Sequence, residues 1–69
     1  MAETFVIANG ERIDAPLPCT LEAFLRSRQL PPRSVVVEQN GEAVAPSEFS
    51  ARQVNPGDRL EIVRIVAGG

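Results

Sequence analysis

The sequence predicts a small α+β domain, a mixed sheet of four to five strands with one main helix packed on one face. Three observations support this fold class. Two Asn-Gly pairs follow β-rich segments, one segment has the apolar spacing of a helix, and the longest apolar strand comes last. With 69 residues and a single cysteine, the chain makes one domain that no internal disulfide stabilises.

The first half of the chain predicts a hairpin and then the helix. TFVIA (4–8) is rich in β-formers, Asn9-Gly10 is a strong hairpin signal, and ERIDA (11–15) returns as a polar edge strand. PLP interrupts the sheet, and Thr20 is placed as the N-cap of the helix LEAFLRSR. The prolines after Leu30 end this helix. Its apolar stripe, spaced i, i+3, i+4, i+7, consists of Leu21, Phe24, Leu25 and the aliphatic stem of Arg28.

The second half predicts a short hairpin and a final strand. SVVVEQ (34–39) forms a strand, a second Asn-Gly pair turns it, and AVAP (43–46) is a brief partner strand. Ser47 is placed as the cap of one short turn, with Phe49 anchoring the loop. NPGD (55–58) has turn chemistry at every position, and RLEIVRIV (59–66) is the longest strand.

This order of elements has few compact solutions. One helix must cover one face of a mixed sheet, and the final strand usually lies centrally beside the first. That arrangement is the β-grasp, or ubiquitin-like, fold, which we expect over residues 1–66 with a flexible Gly-Gly tail at 67–69. The predicted core consists of Phe5, Ile7, Leu21, Leu25, Val35, Val37, Leu60 and Ile62.

The last strand breaks its own alternation. Leu60 and Ile62 point inward and Glu61 outward, but Val63 and Ile65 then continue the outward series while Arg64 falls on the inward register. A β-bulge near Val63 would restore the pattern. Alternatively, Val63 and Ile65 are exposed on the open face of the sheet and await a partner. The sequence leaves both interpretations open.

Composition excludes several classes of function. The net charge of −2 argues against a nucleic-acid partner, and no segment predicts a membrane span or a targeting signal. Histidine is absent and no cysteine cluster exists, so we expect neither a metal nor another bound cofactor. The single cysteine fits a reducing cytoplasm. All seven basic residues are arginine, which leaves the α-amino group as the only amine.

Unaided catalysis is not expected, because histidine, lysine and tyrosine are all absent and the carboxylates lack motif spacing. Asp58 is interpreted as a turn residue. Cys19 is the one reactive candidate: the helix that follows it favours a thiolate, whereas a lone cysteine beside a cap is most often a small, partly buried filler.

The terminal residues predict a protein that is itself modified. A free α-carboxylate at Gly69 would be ionised and resist nucleophiles, so it must first become an acyl-adenylate. Gly68 and Gly69 have no Cβ and can pass a narrow channel into an enzyme. Because Ala67–Gly69 span only about 10 Å when extended, the domain must dock close to the active site. The expected docking residues are Val63, Ile65 and Val66.

Two segments, VVVEQNGEAV and NPGDRLEIVRIVAGG, resemble the sulfur-carrier proteins of thiamine thiazole synthesis, the ubiquitin-like ThiS family. The shared features are the NGE turn, the GD before the last strand and the V-x-G-G end. The resemblance covers the whole chain in length and element order, and its specificity lies in the last fifteen residues. The matching positions are Asn40, Gly41, Glu42, Gly57, Asp58, Gly68 and Gly69.

The resemblance implies a function and a set of partners. A ubiquitin-activator-like adenylyltransferase uses ATP to activate Gly69, a persulfide donor supplies sulfur, and the resulting thiocarboxylate delivers that sulfur to thiazole synthase. Gly68 gives passage to the tail. Three alternatives remain: the small subunit of molybdopterin synthase, whose members tend to be longer; a β-grasp interaction module whose glycines are disordered; and a modifier that is attached to protein lysines.

Overall fold

The computed structural model describes residues 4–65. Seven strands and one α-helix follow each other along this part of the chain, with a short 3₁₀ helix before the fourth strand and another after the fifth. The elements are β1 (Phe5–Ala8), β2 (Glu11–Asp14), β3 (Cys19–Thr20), α1 (Leu21–Ser27), β4 (Val35–Gln39), β5 (Glu42–Val44), β6 (Gln53–Val54) and β7 (Arg59–Arg64). The 3₁₀ helices span Pro32–Ser34 and Pro46–Glu48.

The main sheet has five strands in the order β2-β1-β7-β4-β5. Strand β7 is central, parallel to β1 and antiparallel to β4, while the two hairpins occupy the outer positions. Helix α1 packs on one face of this sheet. The mixed sheet and its helix confirm the predicted β-grasp fold, including the polar edge strand β2.

Both hairpins turn through the same backbone conformation. Asn9 and Gly10 have φ values of 52° and 81°, and Asn40 and Gly41 have values of 52° and 85°. Two consecutive positive φ angles define the type I′ turn, whose twist matches the twist of the flanking strands. Asparagine and glycine tolerate this left-handed region, so each pair predicted its turn correctly.

Helix α1 begins and ends at chemically defined points. The Thr20 hydroxyl accepts a hydrogen bond from the amide of Ala23 at 3.0 Å, as the predicted N-cap requires. The helix ends at Ser27, and Gln29 adopts a positive φ of 59°. With seven residues the helix is only about 10 Å long, so it covers part of the sheet's face.

The inward face of β1 is opposite to the predicted one. Val6 and Ala8 are buried, whereas Phe5 and Ile7 are only partly buried on the face away from the helix. Every residue of this strand is apolar, so its own sequence carries no alternation to read. The pairing of Ala8 with Leu60 decides the face, because paired residues point the same way.

The core is otherwise close to the prediction. Ile62, predicted as core, is partly buried and packs against the core from its margin. The buried hydrophobic residues are Val6, Ala8, Leu21, Phe24, Leu25, Val35, Val37, Val44, Phe49, Val54 and Leu60.

A second, two-stranded sheet, not predicted from the sequence, joins β3 to β6. Strands of two residues show no periodicity, so no pattern could indicate them. The amide of Leu21 donates to the Arg52 carbonyl at 2.8 Å, and that of Glu22 donates to the Phe49 carbonyl at 3.0 Å. The buried Phe49 therefore anchors its loop to the helix start, as predicted.

The capping role predicted for Ser47 is wrong. The short turn is a 3₁₀ helix that begins at Pro46, so Ser47 lies inside it, and no side chain caps its start. Proline at the first helical position replaces a side-chain cap here, because its backbone has no N–H to satisfy.

Candidate functional site on the last strand

Strand β7 runs without interruption along β4. The register pairs Leu60 with Gln39 at one end and Arg64 with Val35 at the other, and every intermediate pair follows in step. A β-bulge would place two residues of one strand opposite one residue of the other. The bulge considered for Val63 is therefore excluded.

The alternative interpretation is confirmed: Val63 and Ile65 are exposed. Their exposed fractions are 62% and 52%, and Val36, which pairs directly with Val63, is 51% exposed. We call these three residues the open-face patch. Val36 is not among the docking residues predicted from the sequence, although alternation within Val35, Val36 and Val37 would place the middle residue on the opposite face from its buried neighbours.

The rest of the open face combines apolar and charged side chains. Phe5 is covered by the Arg12 guanidinium, whose central carbon lies 4.2 Å from the ring centroid. Glu38 and Glu61 lie directly opposite each other, between the valine pair and the β4–β5 turn. The open-face patch has no comparable cover, because each of its three side chains is more than half exposed.

The Asn9 side chain holds the middle of β7. Its Oδ1 accepts a hydrogen bond from the amide of Ile62 at 2.8 Å, and its Nδ2 donates to the Ile62 carbonyl at 3.0 Å. The backbone ladder between β1 and β7 ends at the pair Ala8 and Leu60. The asparagine side chain thus continues the pairing after the β1 backbone has turned away.

A hydrogen-bonded cluster holds the start of β7. The buried Gln39 amide donates to Asp58 Oδ2 at 2.8 Å and to the Gln53 carbonyl at 2.9 Å, and its Oε1 accepts from Arg52 Nε at 3.0 Å. Arg52 also forms an ion pair with Glu42 at 3.1 Å. Every polar atom of the Gln39 side chain therefore has a partner, which removes the cost of burying it.

Asp58 connects the two turns that carry the family resemblance. Its carboxylate accepts hydrogen bonds from the Asn55 amide at 2.9 Å and from Asn40 Nδ2 at 3.1 Å, besides the bond from Gln39. Burial raises the pKa of this carboxyl, but these three hydrogen bonds and the charge of Arg52 outweigh it and lower the pKa. The predicted role of Asp58 as a turn residue is confirmed.

Cys19 lies in β3 and is partly buried against the core. Burial raises the pKa of its thiol, so the thiolate that the following helix was considered to favour is disfavoured instead. Among residues 4–65, no group of three or more metal-binding side chains is arranged to hold an ion. Over the same residues, the one α-helix is too short to cross a membrane.

The predicted tail lies outside the described residues. This applies to Val66, Gly68 and Gly69 and to the expected flexible segment 67–69. Among the described residues, the strand that precedes this segment is central in the sheet, is held on both sides, and ends beside the open-face patch.

The fold and this strand define a ubiquitin-like β-grasp domain with an exposed apolar patch at the end of its last strand. The chain belongs to the ThiS family, whose sequence profile it matches over residues 1–69. A crystal structure of the ThiS thiamine biosynthesis protein from Geobacter metallireducens superposes with a TM-score of 0.79 at 26% identity, covering 96% of this chain and all of the other. The solution structure of a thiamine biosynthesis protein from the same organism gives a TM-score of 0.78 at 26% identity, covering 96% of this chain and 88% of the other.

A curated relative is much longer than this chain. The protein named thiazole synthase from Paramagnetospirillum magneticum is 39% identical over 64 residues, which are 93% of this chain and 20% of the relative. This chain therefore spans about one fifth of that protein.

Proposed function

We propose that this protein is a sulfur carrier in the formation of the thiamine thiazole. The observation that carries the proposal is the match to the ThiS family along the whole chain. On this proposal the protein is a co-substrate and catalyses nothing itself. Its modified group is the α-carboxylate of Gly69, which must be the last residue of the mature chain.

The proposed chemistry proceeds in balanced steps. The Gly69 carboxylate attacks the α-phosphate of ATP on an adenylating enzyme, which gives an acyl-adenylate and pyrophosphate. The terminal sulfur of a persulfide attacks the acyl carbon, and AMP leaves. A thiol then reduces the acyl disulfide, which releases the thiocarboxylate and a new disulfide. Thiazole synthase receives the sulfur from this thiocarboxylate, and no cofactor is bound to the carrier at any step.

The geometry of β7 supports a short-range delivery. The four residues after Ile65 span at most about 13–14 Å when extended. Any enzyme that acts on Gly69 must therefore approach the end of β7 closely. Because the open-face patch lies at this end and is uncovered, we propose that Val63, Ile65 and Val66 dock the partner enzymes, together with Val36. Gly68 gives the chain passage into the enzyme.

Intact-mass measurement tests the proposal. The purified chain is incubated with ATP, its cognate adenylating enzyme and a persulfide donor. We expect a mass increase equal to the difference between one sulfur and one oxygen atom. The same spectrum of untreated protein establishes whether Gly69 is its last residue.

Two variants and a control make the test specific. Addition of one alanine after Gly69 and removal of both terminal glycines are each expected to abolish the mass increase. Addition of one alanine before Met1 is the matched control and is expected to leave it intact. An unchanged mass with an enzyme that is active on another carrier contradicts the proposal, and an amide-linked protein adduct would indicate a modifier instead.

A further inference from the structure

A groove opens on the helix-covered side of the sheet, beside the end of β7. Its volume is about 360 Å³. Its apolar wall includes Ile13, Phe24, Leu30 and Ile62, and Arg28 and Arg64 also line it. We call it the arginine groove. It lies on the face of the sheet opposite to the open-face patch.

The position of Arg64 explains why the groove exists. Arg64 pairs with the buried Val35 and therefore points to the helix side, the inward register on which the alternation of the last strand places it. Yet Arg64 is exposed. Helix α1 ends at Ser27 and is too short to cover this end of the sheet, so an inward-pointing side chain here meets an open groove and not the core.

The two arginines of the groove are not paired within the part of the chain that the structure describes. Among residues 4–65, neither Arg28 nor Arg64 forms an ion pair or a hydrogen bond through its guanidinium. Glu11 lines the same groove but pairs with neither arginine. Asn9 also lines it, and its side-chain amide is occupied by the backbone of Ile62. The lining of the groove thus combines two unpaired guanidinium groups and one carboxylate, that of Glu11, with an apolar wall.

Proximity to the tail determines what meets these cations. An enzyme that draws Gly69 into its active site must approach to within the span of four residues from Ile65, about 13–14 Å. Arg64 precedes Ile65 directly and so lies within the contact area of that enzyme. A guanidinium buried in an interface without a partner is costly, whereas a carboxylate offers it two parallel hydrogen bonds.

We propose that the arginine groove receives an Asp or Glu side chain of the adenylating enzyme, with an adjacent apolar side chain packed against Phe24 and Ile62. This inference rests on the proposed function and adds a second contact on the helix side of β7. The enzyme then holds the last strand from both faces of the sheet. One contact is apolar, at the open-face patch, and the other is an ion pair at Arg28 and Arg64.

Charge-reversal variants test the groove. ATP–pyrophosphate exchange is measured with the cognate adenylating enzyme as a function of carrier concentration. Arg64→Glu and Arg28→Glu are each expected to raise KM about tenfold or more, because reversal turns an attraction in the interface into repulsion. The expected kcat stays within about twofold of the unmodified value, since the proposal assigns both side chains to docking and not to the reaction. Arg64→Lys keeps the charge but cannot form the two parallel hydrogen bonds, so its KM is expected to lie between those of the unmodified carrier and Arg64→Glu.

Arg33→Glu is the matched control. Arg33 is exposed in the 3₁₀ helix before β4 and does not line the groove, and its reversal changes the net charge by the same amount. A KM for Arg64→Glu no higher than that for Arg33→Glu would show that the groove has no specific role in docking and would overturn the proposal. Unfolding curves of all variants separate this result from a loss of fold.

A binding measurement without ATP separates this inference from the proposed function. The adenylating enzyme is added to ¹⁵N-labelled carrier. Amide signals of Arg28, Leu30 and Arg64 that broaden support the groove contact even if no acyl-adenylate forms. Changes confined to Val36 and Val63 would overturn it. Inorganic phosphate or a second copy of the carrier that shifts the groove signals as strongly as the enzyme does would assign the groove to another occupant.

Discussion

The side chain of Asn9 pairs with both backbone groups of Ile62, fifty-three positions further along the chain. The two bonds, at 2.8 and 3.0 Å, reproduce what a neighbouring strand would offer. The first hairpin turn therefore positions the last strand two residues before Arg64. Asn9 tolerates the positive φ of the turn, and its side chain also pairs with backbone groups of β7 that lie beyond the last pair between β1 and β7.

Replacement of Asn9 is expected to weaken this coupling. In Asn9→Gly the new residue also tolerates the φ of 52°, but both side-chain hydrogen bonds to Ile62 are lost. We expect the free energy of unfolding to fall by about 1–2 kcal/mol, since a typical hydrogen bond contributes about 1 kcal/mol. Chemical denaturation followed by circular dichroism measures this change.

Gln29→Gly is the matched control for Asn9→Gly. Gln29 also has a positive φ, 59°, but its side chain makes no hydrogen bond with another described residue. Glycine relieves the backbone there, so stability is expected to stay constant or rise. Equal losses in both variants would show that the Asn9 bonds contribute nothing.

Asp58 makes stability depend on pH at the acidic end. The pKa of its carboxyl is lower in the folded protein than the value of about 3.9 for an unfolded aspartate. The unfolded state therefore takes up the proton first as pH falls. The stabilisation is complete above about pH 4 and is lost as pH falls through the folded-state pKa. Asp58→Asn is expected to lower the free energy of unfolding at pH 7. At pH 3 its difference from the unmodified protein is expected to be smaller, because the unmodified protein has then lost part of this stabilisation.

Denaturant titrations at the two pH values measure this difference. Asp14→Asn is the control, because it removes the same charge from an exposed residue of the edge strand β2. A loss of stability at pH 7 as large as that of Asp58→Asn would show that only the removed charge matters. A stability gap between Asp58→Asn and the unmodified protein that is as large at pH 3 as at pH 7 would refute the role of the ionised carboxylate.

The open-face patch is expected to matter for docking and not for folding. Val36→Thr combined with Val63→Thr keeps the branched shape that suits a strand and adds two hydroxyls to exposed positions. We expect the free energy of unfolding to change by less than about 0.5 kcal/mol per site. The KM for thiocarboxylate formation is expected to rise about tenfold, because each hydroxyl must lose water when the enzyme covers it.

Ala51→Thr controls for the docking experiment. It adds the same hydroxyl at an exposed position in the loop before β6, outside the open-face patch. Its KM is expected to match that of the unmodified carrier. If the double valine variant also keeps its KM, the patch does not dock the enzyme, and the tail and the arginine groove must supply the contact.

Elements with a strong local signal were predictable. The two Asn-Gly turns adopt the expected conformation, Thr20 caps the helix, and the spacing of Leu21, Phe24 and Leu25 places all three in the core. Each of these features depends on residues at most four positions apart, so a single segment contains the whole signal. The same holds for the alternation that would have revealed Val36.

Features that depend on pairing between distant segments were not predictable. An entirely apolar β1 has two possible inward faces, and only its register with β7 selects Val6 over Phe5. The motif residues Asn40 and Asp58 were visible, but their mutual hydrogen bond depends on how the second hairpin meets the last strand. Arg64 looked misplaced because the sequence does not show where the helix stops covering the sheet.

The order of elements, the turns, the helix stripe and the terminal motif that identifies the family are properties of the sequence itself. The tertiary structure alone decided the face of β1, the exposure of Val63 and Ile65, and the opening of the arginine groove. The physical reason is the distance along the chain between the residues that determine each property. Local conformation follows from neighbouring residues, whereas exposure depends on which surface another segment happens to cover.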